Sequence, residues 1–146
     1  MFNGIKISRE VILVGGGHAH TIFLRKWAMN SIPGVQISLI SPSPEATYTG
    51  MLPGFLAGHY SKEEIVIDLV KLCRFSGARF IMGSVGNILS KENLISIDGR
   101  CSIKYDVASI DIGVTSTIND KKRFNLNTHS IRPLGIFVDH WTEFKQ

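Results

Sequence analysis

No apolar run in this chain approaches the roughly 20 residues that a helix needs to cross a bilayer. The expectation is a cytoplasmic protein without a transmembrane segment; a peripheral membrane habit stays open. The first residues lack the apolar core and small-residue cleavage site of a secretory signal. Only two cysteines occur, Cys73 and Cys101, far apart and in no Cys-x-x-Cys pair. A redox-active dithiol therefore has no support. Cys73 follows Leu69, Val70 and Leu72 in a helix-like stretch and reads as a buried thiol. Charge is sparse, at 19% of residues and a formal net of +4. Lys and Arg are scattered apart from Lys121-Lys122-Arg123. Without a basic stripe, nucleic acid is not an expected partner. The triplet reads as a solvated loop or an anion contact. No repeat and no low-complexity tract is present.

What is there is a chain of 146 residues, 44% of them hydrophobic. That suffices for one ordinary core and one domain. The most informative stretch is Val11-Ile12-Leu13-Val14-Gly15-Gly16-Gly17-His18-Ala19-His20. Four apolar residues read as a buried strand, three glycines turn the backbone, and Ala19 to Met29 reads as a helix. Glycines let the backbone approach a diphosphate closely. The first helical N–H groups and the positive end of the helix dipole stabilise its charge. The candidate cradle is the backbone of Gly15, Gly16, Gly17, His18, Ala19 and His20.

Further elements follow from periodicity. The helix carries apolar Ala19, Ile22, Phe23, Trp27 and Ala28, with Arg25 and Lys26 opposite. Ser31-Ile32-Pro33-Gly34 stops it, and Val35 to Ile40 is a second strand, parallel to the first through a right-handed crossover. An irregular Gly/Pro-rich segment runs from Ser41 to about His59, long enough to suggest a role of its own. Residues 62–75 read as a helix and Arg79 to Val85 as a third strand. Asn87 to Leu89, Leu94 to Ile97 and Ser102 to Lys104 read as short antiparallel strands. Val107 to Ile112 reads as a buried strand ending at Gly113. Ile136 to Phe144 is too short to judge. The sum is an α/β parallel sheet with a β-meander on one face.

Five motifs in order resemble the FAD-binding domain of the pyridine nucleotide-disulfide oxidoreductase family. They are Val14 to His20; Tyr48-Thr49-Gly50-Met51-Leu52-Pro53-Gly54 with Gly58-His59-Tyr60; Gly83-Ser84-Val85; Tyr105-Asp106-Val107 with Asp111-Ile112-Gly113; and Arg132-Pro133-Leu134-Gly135. Within that family the chain most resembles the type II NADH dehydrogenase branch, and further the NADH dehydrogenase-like half of selenide, water dikinase fusion proteins. The resemblance implies a Rossmann-like FAD/NAD(P)-binding fold, apparently incomplete. Residues 1–146 would be a partial, three-layer FAD-binding domain, and the NAD(P)-binding domain of longer members would be absent.

The same resemblance assigns roles. Gly15 and Gly17 match the first two glycines of Gly-x-Gly-x-x-Gly, whereas the third position holds His20, a bulky departure. His18 and His20 read as packing or surface imidazoles, or as polar contacts to a cofactor; at i and i+2 they do not suggest a metal site. Ser41 stands where the family has an acid for the adenosine ribose, and is equally a strand-end turn residue. Gly50 and Met51 would lie beside the isoalloxazine ring, or merely serve turns. Val85 would meet adenine through its backbone, or pack as a core valine. Gly113 matches a nucleotide-contacting turn, with Asp111 beside it as an anion that would repel a diphosphate unless paired or turned away. Tyr105-Asp106 would anchor a strand.

No residue reads as a catalytic acid, base or nucleophile, which suits chemistry carried by a flavin. The expected cofactor is FAD, with NAD(P)H as co-substrate of the full-length family and NADH dehydrogenase-like electron transfer. The alternatives are a non-catalytic nucleotide-binding fragment or subunit lacking the NAD(P)H site, and a Rossmann-type domain for another adenine nucleotide. A small-molecule dinucleotide is the expected partner. A homodimer or a missing C-terminal partner would cover an open sheet edge.

Overall fold

Strands β1 (Arg9–Val14) and β2 (Val35–Ser41) bury apolar residues on both faces, with Ser38 and Ser41 buried among those of β2. They are central in a four-stranded parallel sheet of order β5-β2-β1-β9, where β5 is Arg79–Met82 and β9 is Val107–Ile110. Side chains alternate between the two faces. Leu13, Ile37 and Leu39 pack with Leu24, Leu69 and Cys73 of helices α1 (His18–Met29) and α3 (Leu69–Ser76). Ile12, Val14 and Ile40 pack with Ile95 and Ile97 on the other face. That layer is an antiparallel meander of β6 (Val85–Leu89), β7 (Leu94–Ile97) and β8 (Ile103–Lys104). The result is an α/β fold of three layers with a parallel sheet and a β-meander.

This computed structural model describes residues 6–113 and 130–144. Lys121-Lys122-Arg123 lies outside them. Two compact units divide the chain, one of residues 1–46 and 67–112, the other of 47–66 and 113–146. In the second unit, a single helical turn at Thr49–Met51, helix α2 (Leu52–Leu56) and helix α4 (Leu134–Phe144) surround a small core of Phe55, Ile65 and Val138. Strands β3 (Glu45–Thr47) and β4 (Val66–Asp68) pair as a ribbon. Among the described residues no helix is long and apolar enough to cross a membrane.

Four details differ from the sequence expectation. Residues 62–75 are not one helix: a turn at Glu63–Ile65 leads into β4, and α3 begins only at Leu69. The β-branched run Ile65-Val66-Ile67 favours extended backbone, and Asp68 caps the helix by accepting the Lys71 N–H at 2.8 Å. The Ser41 to His59 segment is not irregular throughout, since it contains β3 and α2. The 79–85 strand breaks at Gly83-Ser84, where the chain leaves the parallel sheet for the meander. Strand β9 is an edge, so Val107 and Ile110 are exposed rather than buried.

Asp106 ties that edge to β1. Its carboxylate accepts the Glu10 N–H at 2.7 Å and an Arg9 guanidinium N–H at 2.8 Å. The Glu10 N–H, then Arg9, hold the Asp106 carboxyl below its ordinary value; the Lys71 N–H does the same for Asp68. A carboxyl with a depressed folded-state pKa adds stability above its unfolded value of about 4, lost as pH falls through the lowered value. Acid denaturation should therefore be shallower in Asp68→Asn and Asp106→Asn variants than in the parent. Parallel acid-unfolding curves followed by circular dichroism would contradict this. Burial pushes the Cys73 thiol up to about 11, which makes it unreactive near neutral pH.

Candidate functional site

The carboxyl end of β1 runs into the glycine turn. Gly15 has φ +91°, a backbone state that favours glycine. A Cβ there would stand 2.4 Å from the Asp111 carbonyl oxygen, one at Gly16 2.4 Å from Leu69, and one at Gly17 2.3 Å from the Asp111 carboxylate. Gly15 is thus held by backbone contact as well as conformation, whereas Gly16 and Gly17 face the side chains of Leu69 and Asp111. Gly17 is the N-cap of α1 and offers no side-chain cap. The cap comes instead from far along the chain: Asp111 Oδ2 accepts the His20 N–H at 3.0 Å. The backbone of Asp111 is tied to the same turn, donating to the Val14 carbonyl at 2.8 Å and accepting from Gly17 N–H at 3.1 Å.

His20 resolves the anomaly of the third motif position. Its ring is 3% exposed. Nδ1 lies 2.7 Å from the Gly15 carbonyl and Nε2 lies 2.9 Å from Ser109 Oγ. A carbonyl only accepts, so in the neutral ring Nδ1 carries the hydrogen and Nε2 accepts from the Ser109 hydroxyl. A buried imidazole satisfied at both nitrogens replaces the close helix–strand contact a glycine would give. The expected face of α1 holds only in part: Trp27 packs against the core and Ala28 is half-buried. His20, Thr21 and Leu24 point inward, while Ala19, Ile22 and Phe23 are exposed. His18 and Ala19 are exposed in the first turn. Among the described residues, no group of three or more His, Cys, Asp or Glu could hold a metal ion.

Beside the turn is a cleft of about 430 Å³ at the carboxyl ends of the parallel strands. Val14, Gly15, Ile40, Val85, Ile110 and Ile112 form its apolar walls, with Ser84 and Asn87 at its polar points. Its volume falls within the about 300–1,000 Å³ of small-molecule sites. Its place is where open α/β sheets bind ligands. Val85 both lines this cleft and packs on the core beneath it. Pro42 lines the cleft but Ser41 does not. Ser41 is buried and its Oγ accepts the Ser43 N–H at 3.4 Å, a turn contact. Gly113 leaves open space where a Cβ would stand.

In the second unit, Gly50 and Gly54 each admit an aromatic ring of the chain itself. A Cβ would meet Tyr48 at 2.7 Å and Tyr60 at 2.4 Å. Met51 packs on the Phe55–Ile65–Val138 core.

No protein-family model matches the chain, and no curated protein matches it. Solved structures do match. The sulfide:quinone oxidoreductase of Aquifex aeolicus aligns over 94% of this chain and 32% of its own, with TM-score 0.75 and 22% identity. The NDH2 of Plasmodium falciparum, solved in complex with NADH, aligns over 80% and 25%, with TM-score 0.62 and 18% identity. The water-forming NADH oxidase of Lactobacillus brevis, bound to NADH, aligns over 76% and 27%, with TM-score 0.60 and 18% identity. The chain therefore has the Rossmann-like fold found in these oxidoreductases, and it spans between a quarter and a third of their lengths.

Proposed function

We propose that the first unit binds the adenosine diphosphate half of FAD, and that the chain is the flavin-binding portion of an NAD(P)H-dependent oxidoreductase of the type II NADH dehydrogenase kind. One observation carries the reading: a glycine turn with a left-handed Gly15 opens α1 directly beside the cleft at the strand ends. The residues present fit this half of the cofactor. The Gly15-to-Gly17 turn brings backbone with no side chains of its own toward a diphosphate, and the Asp111 carboxylate stands beside Gly17. The cleft takes the adenosine between the walls of Val85 and Ile112. The fold shared with two proteins solved with NADH supports a dinucleotide as ligand class.

In this reading Gly113 borders the same nucleotide, while Ser41 completes the turn behind it. Motif resemblance alone names Gly50 and Met51 of the second unit as flavin-contacting residues. When bound, the flavin supplies the hydride acceptor; the chain's own residues bind it, orient it and exclude water. Purified chain incubated with excess FAD and passed through gel filtration should carry the flavin absorbance in the protein peak. A folded but colourless peak overturns the reading.

A further inference from the structure

We propose that Asp111 is a charge filter on the α1 cradle, selecting a diphosphate esterified at both ends over a nucleotide that ends in a free phosphate. This rests on the dinucleotide reading above and adds the ligand class that site accepts.

Asp111 cannot turn away from the cradle cheaply. Its N–H is hydrogen-bonded to the last residue of β1, its carbonyl to Gly17 and its carboxylate to the first turn of α1. The carboxylate lies so close to Gly17 that a Cβ there would touch it at 2.3 Å. An anion reaching this helix end therefore meets two fields together: the positive end of the dipole and a fixed negative charge. No compensating Lys or Arg occurs between Gly15 and Thr21. The bridging phosphates of a dinucleotide carry one negative charge each. A terminal phosphate loses a second proton near pH 6 and carries up to two. One further like charge within a few ångströms, partly desolvated, weakens binding by about fivefold to tenfold. The cradle accordingly disfavours nucleotides with a free terminal phosphate.

ADP-ribose and ADP test this, since they share adenosine and diphosphate and differ in the second ester. Calorimetric titrations at pH 8 would compare both ligands on the parent chain and on Asp111→Asn, whose side-chain oxygen still accepts the His20 N–H. The parent should prefer ADP-ribose. The variant should bind ADP about fivefold tighter than the parent does, and ADP-ribose with a smaller change, so that the preference narrows. Added salt should narrow the preference in the parent and leave that of the variant unchanged. An equal preference in both proteins overturns the filter and leaves the dinucleotide reading standing. Failure of the parent to bind ADP-ribose overturns both. Should Asp111→Asn not fold, the salt titration of the parent decides: a preference indifferent to salt overturns the filter.

Discussion

A Gly15→Ala variant should lose about 3 kcal/mol or more of folding free energy, and nucleotide binding with it. The left-handed backbone at φ +91° alone costs an L-residue about 1–2 kcal/mol. The added methyl would also stand 2.4 Å from a backbone oxygen of Asp111 and 2.8 Å from an Ile112 methyl. That oxygen cannot retreat without disturbing the Asp111 N–H bond to Val14 that continues the β1–β9 ladder. Gly77 provides the control. It ends α3 at φ +69° with nothing within 4 Å of its missing Cβ, so Gly77→Ala should cost only about 1 kcal/mol. Urea denaturation of the three proteins separates the backbone effect from the collision. Equal losses in the two variants would show that the turn relaxes around a side chain.

His20→Ala should cost about 2–4 kcal/mol. Truncation empties a buried site and removes the donor to the Gly15 carbonyl and the acceptor for Ser109. His20→Gly, which restores the third glycine of the motif, should be no better. It makes the same cavity and adds the roughly 1 kcal/mol penalty of glycine within a helix. The imidazole is thus this chain's solution to packing α1 on β9, and the glycine motif is met by a different device. A His20→Gly protein as stable as the parent, measured by the same denaturation, would contradict that account.

The strand–turn–helix–strand unit was legible because its signals are local. Val11 to Val14 is a continuous apolar run, Val35, Ile37, Leu39 and Ile40 recur with strand spacing, and Pro33-Gly34 punctuates the chain between them. The meander was legible from turn residues, including Gly99, which takes φ +68°. The buried face of α1 was legible only toward its end, where Trp27 packs on the core. Ile22 and Phe23 outrank His20 and Thr21 on any apolar scale, yet hydrogen bonds inside the fold reverse the order. The helix expected over 62–75 failed for a related reason: Asp68 marks its start, but five apolar residues around it mask the boundary. The role of Asp111 depends on a contact spanning 91 residues, which no window of sequence contains. Local spacing can raise the question of an anion beside a diphosphate. Only the fold shows that this anion is already bound to the helix.

The central claim is that the amides opening α1 hold a diphosphate. Backbone amide resonances of isotope-labelled protein, followed during titration with ADP-ribose, report on those groups directly. The account predicts saturable shifts concentrated at Gly15 through Thr21 and along the cleft at Val85 and Ile112. A titration that leaves those amides unmoved, or moves others in their place, contradicts it.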